Sequence, residues 1–433
     1  MSFRTKFILT LLSATLTLYT AVGSWIATRA QQPAANDPNA QLRIFESVLQ
    51  HIQQDYVDEP NMEKVRAGAL RGLAYGLDPY STYLTPEQVR EFNATGNKDS
   101  QAGIGAELSQ YASYLYVIAP VKDSPADQAG IKAGDIIEYI DNKATRDISL
   151  YDAKQLLNGP AGTEVKLRVL RANASPLTVT VKRGSARAAA AEARMEAGRV
   201  GILRINSFGN GESAEIRNKL QDLLKQGAQK IVVDMRGTAG GSLSEAVAVA
   251  NLFIKDGVIA QTIGREGKAL KTFSADPELT RFTGPVVALI DNGTAGAAEV
   301  VAAALLDRNR GQIVGEKSFG AGTEQQLFSL RGGDGLLLTT VKWASANGKT
   351  FVGEDRARSG VAPTVEVKGP EISESVDPDE LTGNDDDEIA KPEAGNEKRE
   401  TAPAPAVKPA AEDLQLKKAL ELLKDNKPAQ RAA

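Results

Sequence analysis

The chain has no cysteine and only one histidine, His51, among its 433 residues. Without cysteine there is no cysteine nucleophile, no disulfide and no zinc site built on cysteine. A triad of serine, histidine and aspartate would have to use His51, which lies in a helical pattern far along the chain from the glycine-rich segments. We therefore expect no metal site, and no catalysis by the commonest nucleophile and base pairs.

An excess of positive charge is also missing. The 51 basic and 55 acidic residues leave a formal net charge of −4, and no dense basic stripe is present to neutralise phosphates. We therefore expect no nucleic-acid partner. Hydrophobic residues at 42% and charged residues at 24% are typical of globular proteins. The length exceeds the roughly 100 to 200 residues of one domain, so several folded units are expected.

The N-terminus has the features of an export signal. Arg4 and Lys6 precede an uncharged run over residues 7–27, and Ala30 offers a small residue for cleavage. The run is also long enough to span a bilayer as an uncleaved anchor. Residues 1–30 are therefore predicted to be a signal peptide or a membrane anchor, and both readings stay open. Either one places the protein in the periplasm or on the inner membrane facing it.

Apolar periodicity divides the rest of the chain into four segments. Apolar residues at three- and four-residue steps predict a helical domain over residues 39–97. Short β-branched runs separated by turns follow over residues 101–183, and strands alternate with helices over residues 184–369. An acidic, proline- and alanine-rich tail over residues 370–433 is predicted to be disordered except for an amphipathic helix at 412–424. The fold class predicted is a multidomain mixed α/β protein.

Residues 101–183 resemble a PDZ domain. The resemblance rests on GIGAEL at 103–108, DSPADQAGIKAGDII at 123–137 and GPAGTEVKLRV at 159–169. A loop of such small residues allows backbone amides to converge on a peptide carboxylate, and an extended peptide would pair with the strand that follows. The same glycines would also serve a plain tight turn, but the surrounding motifs favour peptide capture. The predicted peptide-binding residues are Gly103, Ile104, Gly105 and Ala106.

Residues 39–369 resemble the bacterial C-terminal processing peptidases, also called tail-specific proteases, of serine peptidase family S41. The motifs are LDPYSTYLTPEQ at 77–88, VGILRINSF at 200–208, VVDMRGTAGGSLSEAV at 232–247, the long segment at 292–325 and, past the tail, DLQLKKALELL at 413–423. The resemblance implies a ClpP/crotonase-like α/β core without cofactors. It also implies an exported endopeptidase that recognises the C-terminal ends of its substrates with a serine nucleophile and a lysine base.

The resemblance places the family's serine at Gly296 and its lysine at Ala321. The serine is the middle one of a Ser-Ala-Ser-Ala-Ser-Glu segment, and residues 294–299 here read Thr-Ala-Gly-Ala-Ala-Glu. The lysine lies between two glycines, and residues 319–322 here read Phe-Gly-Ala-Gly. Such a dyad works because a lysine in an apolar pocket loses its proton more readily and accepts the proton of a neighbouring serine. Neither group is present, so enzymatic activity is left open.

Other parts of the family's site are partly retained. Gly240 and Gly241 match the glycine pair whose backbone amide helps to stabilise the oxyanion, together with the amide after the nucleophile, which is Ala297 here. The proline that usually precedes the pair is Ala239. Gln325 matches the polar residue that orients the family's lysine. The resemblance therefore implies a groove shaped for peptides.

Three functions stay open. The favoured hypothesis is a non-catalytic member that binds protein or peptide C-termini through its PDZ domain. The second is a working endopeptidase that uses other groups. Thr294 and Ser318 are its nearest hydroxyls, and Lys317 is predicted to be a loop residue. The third is a structural adaptor that pairs with an active relative or with itself as a homo-oligomer.

Overall fold

The computed structural model describes residue 17 and residues 38–95, 102–111, 113–185, 187–369 and 412–425. By its contacts the chain divides into two compact units, Met1–Ala69 and Leu70–Ala433. The signal or anchor predicted over residues 1–30 lies outside the described residues apart from Thr17. The tail predicted over 370–433 also lies outside them, except for residues 412–425. Among the described residues no helix has both the length and the apolar character needed to cross a membrane.

Helices and strands alternate through most of the described chain. The helices are α1 (Pro38–Asp55), α2 (Met62–Tyr75), α3 (Pro86–Thr95), α4 (Pro125–Gln128), α5 (Leu150–Leu157), α6 (Glu212–Lys225), α7 (Leu243–Asn251), α8 (Ala297–Asp307) and α9 (Leu414–Asp425). The strands are β1 (Thr82–Leu84), β2 (Ala106–Tyr111), β3 (Tyr114–Pro120), β4 (Ile136–Ile140), β5 (Lys143–Ala144), β6 (Glu164–Leu170), β7 (Leu177–Lys182), β8 (Glu192–Glu196), β9 (Val200–Arg204), β10 (Lys230–Asp234), β11 (Val258–Ile263), β12 (Ala269–Ser274), β13 (Val286–Ile290), β14 (Gly311–Gly315), β15 (Thr323–Ser329), β16 (Gly335–Ser345) and β17 (Val365–Glu366).

The smaller unit consists of α1 and the first half of α2. Helix α1 carries several apolar side chains that are exposed, including Leu42, Ile44 and Val48. The lone histidine, His51, is exposed on this helix and lies 2.6 Å from Asp55 one turn further on.

In the larger unit, the segment predicted to be a PDZ domain forms an antiparallel sheet in the order β2-β3-β4-β6-β7, with β5 on β4. Two short helices begin at serines whose hydroxyls accept a backbone hydrogen bond. Ser124 caps α4 and Ser149 caps α5, as serine does at many helix N-termini. Strand β2 pairs only with β3 among the described strands, so its other edge is free of a strand partner.

The larger unit also contains a six-stranded sheet in the order β17-β14-β13-β10-β9-β8. All neighbours are parallel except β8, which is antiparallel to β9. Strand β13 is buried at every position, as expected for a strand covered on both faces. Ile231 and Val233 pack with α6, α7 and α8, while Val232 packs with α9 on the other face. The predicted mixed α/β class with an α/β core is thus confirmed.

A third sheet joins the LDPYSTYL motif to the core. Its order is β1-β16-β11-β12, with β15 also paired to β16. Asp78 accepts hydrogen bonds from the amides of Tyr80 and Ser81 at 2.8 and 2.9 Å, which closes the turn before β1. The motif lies in the segment predicted to be helical, whereas its last three residues form a strand that pairs with β16. A three-residue strand has too few residues to show a period in sequence.

Helix α9 closes the second face of the parallel sheet. Ala419 and Leu423 are buried against it. At the start of the helix, Asp413 accepts two hydrogen bonds from Arg236, both at 2.9 Å, and Arg236 also pairs with Asp234. The helix predicted at 412–424 is therefore present at Leu414–Asp425, and one ion-pair network attaches it to the end of β10.

Candidate functional site

Gly296 lies immediately before α8 in a conformation that L-residues rarely adopt, with φ 63° and ψ −113°. A Cβ atom built on it would lie 3.4 Å from the carbonyl oxygen of Gly240, an ordinary contact distance. The position thus has room for a small side chain but imposes backbone strain on any residue other than glycine. As the chain stands, this position carries no nucleophile.

Glu299 joins Gly296 to the loop that contains Ala321. Its Oε2 atom accepts hydrogen bonds from the amides of Gly296 and Ala321, both at 2.8 Å. Its Oε1 atom accepts from the amide of Gly320 at 2.7 Å and from the hydroxyl of Ser318. The structure therefore brings the two dyad positions together around one buried carboxyl group. Nothing local to Glu299 in the sequence indicates its partners in the loop at 318–322.

Burial dominates the electrostatics of this carboxyl group. Glu299 is fully buried, and burial raises its pKa to about 7, although hydrogen bonds from Ser318, Ala321, Gly296 and Gly320 act in the opposite direction. Of these four partners, only the Ser318 hydroxyl is able either to donate or to accept. Ser318 therefore allows Glu299 to exist in either protonation state.

The amides expected to form an oxyanion hole are arranged unevenly. The amide of Ala297 donates to the carbonyl of Gly240 at 3.2 Å. The amides of Gly240 and Gly241 donate to no acceptor within the described part of the chain. Gly241 must be glycine, because its φ is 89° and a Cβ atom would lie 2.6 Å from that of Phe208. An oxyanion hole needs donors that converge on a free position. Here one of the expected donors, the amide of Ala297, is already bound to the carbonyl of Gly240.

Gln325 contacts polar groups other than those of Ala321. Its Nε2 atom donates to the hydroxyls of Thr323 and Thr339 at 2.8 and 3.2 Å. The Thr339 hydroxyl donates in turn to Asp78 at 3.1 Å. In this chain the predicted lysine-orienting residue therefore belongs to a network that holds β15, β16 and the LDPYSTYL motif together.

The two hydroxyls and the amine nearest to the dyad positions form hydrogen bonds with other groups. Thr294 is buried, and its hydroxyl donates towards Met235 and Asp291 at 3.0 Å and accepts from the amide of Asp291 at 2.9 Å. The Ser318 hydroxyl binds Glu299 and accepts from the amide of Val361 at 2.7 Å. The Lys317 amine donates to the carbonyl of Ala357. Thr294 and Lys317 therefore have no nucleophile or base as partner, and Ser318 has the carboxyl group of Glu299 beside it, but both of these side chains are fully buried.

The predicted peptide-binding loop is held by its carbonyls. The carbonyl of Ile104 accepts from Ala126 at 2.7 Å, and that of Gly105 accepts from Val121 and Ser124 at 2.9 and 2.7 Å. Gly105 has a φ of 73°. The amides of Ile104 and Gly105 donate to no acceptor among the residues that the structure describes. Two unpaired amides on a loop with a left-handed glycine are suited to bind an anion.

The antiparallel sheet packs onto the core at the dyad positions. Tyr116 of β3 stacks on Phe319, with ring centroids 5.5 Å apart and planes 24° apart. Ala239 and Ala321 pack against the same cluster, whose other buried members are Tyr114, Ile118, Ile136 and Ala295. This contact was missed in the sequence, because nothing local to Tyr116 indicates a partner two hundred residues away.

Two further residues at the site, Tyr80 and Arg356, were given no role by the sequence analysis. The Tyr80 hydroxyl lies 3.3 Å from that of Ser109, and burial raises the pKa of Tyr80 to about 12. Arg356 places its guanidinium 4.3 Å from the centre of the Phe319 ring. Arg356 belongs to a charged loop in which Arg358 would be an equal candidate by composition. Among the described residues no group of three potential metal ligands occurs.

Comparisons with known proteins agree with this geometry. The family model "Peptidase family S41" matches residues 199–367, and the model "PDZ domain" matches residues 116–171. The carboxy-terminal processing protease CtpA of Bacillus subtilis (strain 168) is 30% identical over 343 residues, which cover 79% of this chain and 72% of that protein. A probable CtpA-like serine protease of Staphylococcus aureus (strain MRSA252) is 34% identical over 357 residues, covering 81% and 70%.

The solved structure of a photosystem II D1 C-terminal processing protease superimposes with a TM-score of 0.62 at 27% identity, and the match covers 75% of this chain and 86% of that one. The similarity thus extends over the sheet that packs on the dyad positions as well as over the core. The chain therefore belongs to peptidase family S41, with a PDZ domain, among the relatives of the carboxy-terminal processing proteases.

Proposed function

We propose that this protein is a peptide-binding member of family S41 that does not hydrolyse peptides. The observation that carries the proposal is the pair Gly296 and Ala321, which meet around Glu299 without a nucleophile or a base between them. A serine peptidase of this kind needs both groups within hydrogen-bond reach. Loss of both leaves no route for covalent catalysis through the family's mechanism.

The surroundings of the dyad positions support the same proposal. Thr294 and Ser318 would have to break buried hydrogen bonds to act as nucleophiles. The Lys317 amine is bound to a carbonyl rather than to a hydroxyl. The amide of Ala297 is bound to the carbonyl of Gly240. A negatively charged oxygen that forms on a substrate would therefore receive one hydrogen bond fewer. A working endopeptidase would therefore have to use Ser318 with Glu299, and both side chains are fully buried.

The PDZ loop supports the binding part of the proposal. The amides of Ile104 and Gly105 are available to a carboxylate, and the free edge of β2 is available to an extended peptide. Recognition of this kind combines main-chain hydrogen bonds with an anion site at one end. We therefore propose peptide or protein C-termini as ligands. On its N-terminal sequence we place the protein outside the cytoplasm, as a periplasmic or membrane-anchored protein.

The test compares the natural chain with the Gly296→Ser, Ala321→Lys double variant on an unstructured protein with an apolar C-terminus. We expect the natural chain to be inert and the double variant to cut, because the introduced lysine would enter the apolar cluster around Phe319, where burial lowers an amine pKa. Each single variant serves as the matched control and should be inert. Cleavage by the natural chain, once a contaminating peptidase is excluded, would show that the proposal is wrong.

A further inference from the structure

Arg356 lies at the edge of the site on the loop that follows β16. Its guanidinium stacks over the ring of Phe319 at 4.3 Å, and its NH1 group donates to the carbonyl of Ser318 at 3.2 Å. Stacking and one hydrogen bond fix the plane of the guanidinium. The group is therefore already positioned for a further partner, and it contacts Phe319, which lies two residues before Ala321 in the chain.

The guanidinium has most of its hydrogen-bonding capacity unused. Arginine carries five N–H donors, and within the described residues Arg356 makes the single hydrogen bond to Ser318 and no ion pair. Its side chain is half-buried, and burial lowers its pKa. A half-buried cation without a carboxylate is unusual, because buried charges are ordinarily paired.

The charges around Arg356 do not neutralise it. Lys317 donates to the carbonyl next to Arg356, and its pKa is lowered first by burial and then by the charges of Arg356 and Lys349. The acidic residues of the same loop, Glu354 and Asp355, are paired with Arg358. Burial, Arg356 and Lys349 lower the pKa of Lys317 by more than Asp355 raises it. Burial lowers the pKa of Arg356 by more than Glu299 raises it, and within the described residues Glu299 makes no ion pair with the guanidinium. Two cations, Arg356 and Lys317, therefore lie near one buried carboxyl group.

The floor of this region is apolar. Phe319 stacks with Tyr116 and also lies next to the guanidinium of Arg356, and Ala239 and Ala321 pack against the same cluster. Alanine at position 321 removes the long side chain that the family resemblance places there. An unpaired planar cation above an apolar floor fits a carboxylate carried by a peptide, since arginine matches a carboxylate with two parallel hydrogen bonds.

We propose that Arg356, with Lys317 beside it, binds a carboxylate of the captured peptide on the core, as a second subsite apart from the PDZ loop. The inference rests on the proposed peptide capture and names one chemical group of the ligand. That carboxylate comes either from the peptide's C-terminus or from an aspartate or glutamate side chain. In the second case the PDZ loop binds the C-terminus of the peptide, while Arg356 on the core binds an acidic side chain that precedes this C-terminus in the peptide sequence.

The experiment measures binding of a fluorescein-labelled twelve-residue peptide with an apolar C-terminus to the full-length chain by fluorescence anisotropy. Four peptides combine a free or amidated C-terminus with aspartate or asparagine at an internal position, and the aspartate is moved along the peptide in a second set. The variants are Arg356→Gln, Arg356→Lys and the matched control Arg358→Gln, whose side chain is exposed and already ion-paired. Thermal unfolding of each variant checks that it is folded.

We expect Arg356→Gln to weaken binding about tenfold, the effect of losing one charged hydrogen-bonded pair. The loss should disappear for the peptide that lacks the responsible carboxylate, which identifies its source. Arg356→Lys should retain part of the binding, and Arg358→Gln all of it. Equal affinity of Arg356→Gln and Arg358→Gln for every peptide would overturn the subsite and leave peptide capture standing. Failure of the natural chain to bind any of the peptides would overturn both.

Discussion

Replacement of Glu299 by glutamine tests whether this carboxyl group holds the two dyad positions together. In the natural chain four donors converge on its two oxygens: the amides of Gly296, Gly320 and Ala321, and the hydroxyl of Ser318. Glutamine keeps one acceptor oxygen and replaces the other by an NH₂ group, which itself donates. Two of the four buried donors would therefore lose their acceptor.

The magnitude follows from those two donors. A buried donor left without an acceptor costs about 1 to 3 kcal/mol, so Glu299→Gln should lower the free energy of unfolding by about 2 to 6 kcal/mol. Natural domains are stable by only about 5 to 15 kcal/mol. The matched control is Glu245→Gln. Glu245 also accepts two backbone amides, from Gly211 and Ser213 at 3.1 and 2.8 Å, but it is half-buried, so water replaces the lost bonds and the cost should stay below about 1 kcal/mol.

The effect should also depend on pH. The folded-state pKa of Glu299, about 7, lies above its ordinary value of 4.5, so the folded protein binds the additional proton between these values. The contribution of Glu299 to stability is therefore fully present below the ordinary pKa and is lost as pH rises through 7. The difference in unfolding free energy between the natural chain and Glu299→Gln should narrow by up to about 3 kcal/mol between pH 5 and pH 8.

The assay is urea unfolding followed by tryptophan fluorescence. Trp343 is buried in the core and packs against Gly322, next to Ala321, so it reports on this region. The second tryptophan, Trp25, is replaced by phenylalanine in every variant to leave one reporter. If Glu299→Gln and Glu245→Gln were equally stable, or if the difference from the natural chain did not change with pH, the reasoning from burial and hydrogen bonding would be refuted.

Two further predictions concern the ends of the core. Asp413→Asn should speed amide hydrogen exchange across residues 414–425 and cost about 1 to 2 kcal/mol, because Asp413 both pairs with Arg236 and accepts from the amide of Leu416. Burial raises the pKa of Asp413, but its hydrogen bonds and ion pair with Arg236 lower it by more, so the folded-state pKa lies below the ordinary value. The difference in stability between the natural chain and Asp413→Asn should therefore vanish as pH falls through that folded-state pKa. Unchanged hydrogen exchange near neutral pH would contradict the role of Asp413 in attaching the helix. Thr294→Val should lower the free energy of unfolding by about 1 to 3 kcal/mol in urea unfolding, because it removes the buried hydroxyl that contacts Met235 and Asp291. A variant as stable as the natural chain would contradict this.

Much of the architecture could be predicted because it is written in local patterns. The apolar run at 297–307 predicts a helix, and α8 has those bounds. The mixed α/β class and the membership of family S41 follow from motifs that are contiguous in sequence. The loss of the serine and the lysine is also a local fact, since the side chains are absent at Gly296 and Ala321 whatever the fold does.

The contacts around those positions required the tertiary structure. Glu299 meets Ala321 because α8 and the loop at 318–322 pack side by side, and Tyr116 meets Phe319 because the antiparallel sheet lies on the core. Arg358 pairs with acidic neighbours, whereas Arg356 has no such partner among the residues that the structure describes, and this difference depends on which way each side chain points. Sequence by itself thus determined the family and the missing chemistry, because residue identity is local. Only the fold decided which groups remain buried, paired or available, because those properties arise from contacts between segments far apart in the chain.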